Sequence, residues 1–143
     1  MEVKGRIAAG SAGDLRVNLG NVKHGHGVLV TISADRQVGI QPDAWDKAKQ
    51  GLTIGPHPHP AVRPPGQFNN LRLIIQGKNL TVYINGQRYG KQLALPFELA
   101  PATITLGHSV NNGQPQRVEF ERLAVWPTID LKELPPVDAK KGK

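Results

Sequence analysis

Asn69-Asn70-Leu71-Arg72-Leu73-Ile74-Ile75-Gln76-Gly77-Lys78-Asn79-Leu80-Thr81-Val82-Tyr83-Ile84-Asn85-Gly86 is the stretch that decides the fold. Leu71, Leu73 and Ile75 fall on one side of an extended chain, and Arg72, Ile74 and Gln76 on the other. Beyond Gly77-Lys78, Leu80, Val82 and Ile84 alternate with Thr81 and Tyr83. Successive side chains of a strand lie on opposite faces, so a period of two marks a strand with one face on a core. Asn85-Gly86 then supplies the strongest short hairpin signal. A type I′ turn needs positive φ at both central residues, and Asn and Gly accept it. A return strand is therefore predicted from Gln87 to Tyr89.

Working outward, the same rhythm recurs. Val3, Gly5 and Ile7 alternate with Lys4 and Arg6, and Leu15, Val17 and Leu19 with Arg16 and Asn18. Val28, Val30 and Ile32 alternate with Leu29, Thr31 and Ser33, and Gln37 to Gln41 pairs back across Ala34-Asp35-Arg36. Thr103 to Gly107 and Val118 to Val125 read as the last strands, the second ended by Pro127. Asp43 is placed to cap one short helical turn from Ala44 to Gln50, closed by Gly51. Gly55 to Gln67 holds prolines 56, 58, 60, 64 and 65 and is expected to be a loop or polyproline segment. Eight or nine short strands without βαβ alternation predict an all-β, two-sheet antiparallel sandwich over residues 1–130. Residues 131–143 read as a disordered, Lys-rich tail or linker. The chain opens inside a strand, so an upstream segment is expected before Met1.

Composition removes several function classes. There is no cysteine, which excludes disulfides, zinc-thiolate sites and cysteine nucleophiles. No apolar run reaches the roughly 20 residues of a membrane span. The net charge is +7, but the basic residues outside the Lys-rich tail are scattered, and only two Trp, two Tyr and three Phe are available to interleave with them. A nucleic-acid surface needs a basic stripe with aromatics, so no specific nucleic acid is expected. The chain reads as a monomer or as part of a larger polypeptide.

The run from Pro65 to Gly86 resembles a hallmark of concanavalin A-like lectin/glucanase domains. It is especially similar to bacterial modules of the 3-keto-disaccharide hydrolase-like and laminin-G-like groups. Those carry a Gly-x-Trp-Asn strand opening, a Gly turn, and then hydrophobic-x-hydrophobic-Asn-Gly. Ile104-Thr105-Leu106-Gly107 and Val118 to Val125 are similar to that family's closing strands. The resemblance covers residues 65–126 and, more loosely, 1–41. Phe68 stands where the pattern has Trp, and the chain is short for the group. The resemblance implies a jelly roll, a glycan ligand, and an extracytoplasmic (periplasmic or secreted) location in a bacterial envelope or secreted protein. No cofactor is expected.

Candidate site residues follow from side-chain chemistry. Arg72 and Gln76 share the face of Ile74, across from Thr81 and Tyr83, and mixed polar and aromatic character suits a sugar groove. Trp45, in the irregular insert, is placed at its rim as a stacking residue; Tyr89 and Trp126 are the other stacking candidates. Glu119 and Glu121 share a strand face about 7 Å apart. That is within the range for paired glycosidase carboxylates, about 5–9.5 Å. They form the catalytic alternative; as an outer polar face they would instead pair with Arg117 and Arg122. His24-Gly25-His26 and His57-Pro58-His59 are a weak metal alternative, with His108 a possible third ligand. Asp14, Asp35, Asp43 and Asp46 suit turns and caps more than a calcium loop. The expectation is a non-catalytic glycan-recognition or accessory module. The alternatives are a glycoside hydrolase related to the 3-keto-disaccharide hydrolases and a purely structural interaction domain.

Overall fold

Ten stretches take up the period-two pattern in the computed structural model, which describes residues 1–21, 26–42, 54–95, 97, 103–109 and 116–126. In chain order they are β1 (Glu2–Ile7), β2 (Asp14–Asn21), β3 (His26–Ser33), β4 (Gln37–Pro42), β5 (Ile54–Pro58), β6 (Asn69–Gln76), β7 (Asn79–Ile84), β8 (Gln87–Ala94), β9 (Thr103–His108) and β10 (Val118–Ala124). They form two five-stranded antiparallel sheets. The first has the order β10-β1-β6-β7-β8 and the second β5-β4-β3-β2-β9. Among the described residues there is no helix. The helical turn expected over 44–50 and the tail over 131–143 lie outside the described residues.

The sheets meet through the faces the alternation marks. Val3, Leu71, Leu73, Leu80, Val82 and Ile84 of the first pack against Leu15, Val17, Leu19, Val28, Val30, Ile32, Val38 and Ile40 of the second. Full burial of one such side chain contributes about 1.5–3 kcal/mol, so this contact dominates stability. Tyr89 also spans the layers: its buried hydroxyl donates to Val38 O at 2.7 Å, from β8 to β4. Burial pushes the Tyr89 phenol above its ordinary value.

Turn chemistry sets the registers. Leu71 faces Ile84 and Gln76 faces Asn79 across β6 and β7, leaving Gly77-Lys78 as a two-residue turn. At the next turn Asn85 has φ 50° and Gly86 φ 83°, as a type I′ turn requires. Asn85 does more than turn the chain. Its Oδ1 accepts from Asn70 N at 2.8 Å, and its Nδ2 donates to Ala61 O at 2.7 Å and Asn69 Oδ1 at 2.9 Å. Asn69 Oδ1 also accepts from Arg63 N at 2.8 Å. The hairpin is thereby sewn to the proline-rich segment beneath it. Arg36 ties the same segment from the other sheet: it ends the β3–β4 turn at φ 66°, and its Nε donates to Val62 O at 2.7 Å.

Two expectations need correction. There are ten strands among the described residues, not eight or nine. Part of the expected proline loop, Ile54–Pro58, is β5. It is the edge of its sheet and pairs only with β4. Proline's missing N–H is tolerated there because one side of an edge strand has no ladder to serve.

Replacing Asn85 by Gly keeps the turn conformation and deletes the side-chain bonds. Asn85→Gly is expected to cost roughly 2–4 kcal/mol, lowering the urea midpoint with an unchanged slope. A change below about 0.5 kcal/mol would show that the network is not structural.

Candidate functional site

The outer face of the first sheet carries the residues the sequence nominated. Register places Ala124, Glu2, Arg72, Tyr83 and Arg88 in one row across its five strands. Ile74 faces Thr81 in the next row, as the alternation predicts. The face is not open at its centre: Thr81 is 8% exposed and Tyr83 4%. Arg72 is committed to Glu2, donating from Nε at 3.1 Å and Nη2 at 2.8 Å to the same carboxylate oxygen. Burial alone would raise the Glu2 carboxyl, but hydrogen bonds from Arg72 and Asn70 and the charges of Arg72 and Arg122 outweigh it and hold it below its ordinary value. Gln76 is exposed at the strand end, near enough for Gln92 to reach at 3.4 Å. Trp45 lies outside the described residues.

Glu119 and Glu121 are likewise engaged. Glu119 accepts from Arg6 Nε at 2.7 Å and lies 3.0 Å from Arg117 Nη2, the partner foreseen for it. Glu121 meets Lys4 Nζ at 2.6 Å, not Arg122. The reason is a bulge: Lys4 faces Arg122 and Gly5 faces Phe120, so Glu121 is the extra residue and swings toward Lys4. Lys4 and Arg6 also lie over the Phe68 ring, at 5.5 and 4.6 Å from its centre. The two carboxylates thus sit on a charge-balanced surface built with Phe68, not facing each other across a cleft.

Of the histidine pairs, only the second is described in full, and its two members have different surroundings. His24 lies outside the described residues, as does the His26 side chain. His57 is exposed on β5. His59 packs edge-on against Tyr89, with ring centres 5.6 Å apart, and its Nδ1 accepts from Ala61 N at 3.3 Å. Among the described residues no three His, Cys, Asp or Glu side chains come together to hold a metal.

Among the described residues, a concave feature lies on the other sheet. A groove of about 350 Å³ crosses the outer face of β2 to β5. Register brings Arg16, Thr31 and Gly39 into one row. Gly39 keeps the floor low, since a Cβ there would stand 2.9 Å from Thr31 Oγ1 and 3.8 Å from Pro56. One wall is the forked Asp14–Arg16 pair, with Nε–Oδ1 at 2.8 Å and Nη2–Oδ2 at 3.4 Å. Asp14 is itself fixed, accepting from Ser109 N at 2.9 Å. Ile54 and Pro56 of β5 form the opposite wall, and Gln37 and Gln41 close the ends. Two carboxylates (Asp14 and Asp35), a guanidinium, two amides and two hydroxyls (Thr31 and Ser33) offer both donors and acceptors to a polar ligand. The volume is at the small end of ligand sites.

The sequence reading missed this groove. Its one local sign was Gly39, a lone glycine inside an alternating strand, which marks a close approach or a missing wall. Comparison with family models, with curated proteins and with solved structures gave no match to the chain. The class shown is a two-sheet antiparallel β-sandwich. No described helix is long and apolar enough to cross a membrane.

The Glu2–Arg72 pair carries a pH signature. A folded-state carboxyl below its unfolded value, near 4.5, contributes stability that is present above that pH and lost as pH falls through the folded value. The stability gap between the unmodified chain and Glu2→Gln should therefore shrink below pH 4.5. Urea melts at stepped pH check this, and a gap that widens on acidification overturns it.

Proposed function

We propose that this domain is a non-catalytic glycan-recognition or accessory module of a larger bacterial envelope or secreted protein, and that the groove over Gly39 is where it reads its ligand. The observation that carries this reading is the groove's chemistry. Arg16 and Asp14 stand as a held donor–acceptor pair beside Thr31, Gln37 and Gln41, with the apolar edge of Pro56 and Ile54 opposite. Sugar hydroxyls need donors and acceptors at fixed spacing, and the C–H face of a ring needs an apolar neighbour. The resemblance of Pro65–Gly86 to concanavalin A-like modules supports the same reading and favours a jelly roll and an extracytoplasmic setting. A non-catalytic role is favoured because Glu119 and Glu121 are each neutralised by a cation on an outer surface.

A glycan array followed by calorimetry on the best ligand tests the proposal. Arg16→Ala and Gln41→Ala should each weaken binding, Arg16→Ala by about 10–100-fold, because a hydrogen bond to a charged group contributes about 1.5–3 kcal/mol. Glu119→Gln should leave binding unchanged. No binding to any glycan sinks the function. Binding that survives both groove substitutions sinks the location.

A further inference from the structure

All the exposed large hydrophobics among the described residues lie in one short run: Leu123 is 46% exposed, Val125 58% and Trp126 42%. The run straddles the end of β10, an edge strand of the first sheet: Leu123 is its penultimate residue, and Val125 and Trp126 follow it directly. An open edge offers unpaired N–H and C=O groups to another strand, and proteins usually blunt it with proline, charge or a bulge. The other described edges follow that rule or lack exposed apolar bulk. β5 carries Pro56 and Pro58, β8 has Lys91 and a register break, and β9 ends on exposed His108. The first half of β10 is also protected, by Glu119 and the bulge at Glu121. Leu123-Ala124-Val125-Trp126 carries no proline, charge or bulge of its own, and Pro127 comes only after it.

The backbone points the same way. Ala8 N donates to Arg117 O at 2.8 Å, so Arg117 turns its polar groups toward β1. Alternation through the register and its bulge turns Arg122 and Ala124 inward as well, opposite Lys4 and Glu2. The N–H and C=O of Leu123 are left facing outward, and extending β10 by one residue on pairing turns those of Val125 the same way.

We propose that this edge is a self-association surface, taken by β10 of a second copy running antiparallel about a two-fold axis at Ala124. In that register Leu123 lies opposite the second copy's Val125, and Val125 opposite its Leu123, so both exchanged backbone pairs use the outward groups. Ala124 meets its own copy, and its small side chain lets the strands close. Arg122 lies opposite the second copy's Trp126 on the same face, placing a guanidinium over an indole. The patch is thus complementary to itself, as a two-fold interface must be. It joins the first sheets of two copies into one ten-stranded sheet and covers all three exposed apolar side chains. It departs from the monomer that is one of the two expectations from the sequence, the other being part of a larger polypeptide, and it does not depend on the glycan reading.

Sedimentation velocity on the full chain, over concentrations on the order of 1 to 300 μM, tests it. The chain should pass from monomer to dimer, and Leu123→Lys and Val125→Lys should each weaken association at least tenfold, since an edge lysine opposes strand addition. Hydrogen exchange on the unmodified chain gives a second readout that needs no variant to fold: the amides of Leu123 and Val125 should slow as concentration rises. A chain that stays monomeric throughout overturns the proposal. So does a dimer that persists in the lysine variants, or one whose formation leaves those amides unprotected.

Discussion

The central strands of both sheets must keep one face turned inward, because the stability of the sandwich comes from pressing two apolar sheet faces together. A slip of one residue in any strand would carry its whole apolar set to the solvent side. That requirement makes the registers rigid and turns the outward faces into fixed arrays of side chains. The rest of the molecule, its turns, ion pairs and groove, is arranged on those arrays.

Polar bonds hold the layers in place where burial alone is indifferent. Asn85 from one sheet and Arg36 from the other both reach the segment around Ala61 and Val62, so a proline-rich connection becomes a clasp between hairpins. Tyr89 adds a third link through Val38, the residue before Gly39 on the groove floor. The groove is therefore carried on strands tied across the layers by hydrogen bonds, which suits recognition of a ligand by a preformed site.

The two outer faces differ in how their charges are used. On the first sheet Glu2 is matched by Arg72, Glu119 by Arg6 and Glu121 by Lys4, and the central Thr81 and Tyr83 are buried. On the second, the Asp14–Arg16 pair stands at the wall of a groove with half-exposed polar neighbours. An exposed matched pair such as Lys4–Glu121 contributes about 0–1 kcal/mol, and a committed pair offers little to a ligand. The same pair beside a hollow presents a fixed donor and acceptor together.

Leu71 to Ile84 and the turns at Gly77-Lys78 and Asn85-Gly86 could be read without coordinates, since alternation and turn conformation are local properties of a few consecutive residues. The inward faces of β1 to β4 followed for the same reason. β5 was hidden because Pro56 and Pro58 argue against a strand unless it is known to be an edge, and edge position is not a local property. The partner of Glu121 was hidden by a bulge that exists only once β1 lies beside β10. The groove was least legible of all: Arg16, Thr31, Gly39 and Pro56 are far apart in the chain and become neighbours only through strand pairing. Periodicity by itself determined which side of each strand is greasy. Only tertiary structure decided which polar residues share a surface, because register between distant strands is set by the packing of the whole core.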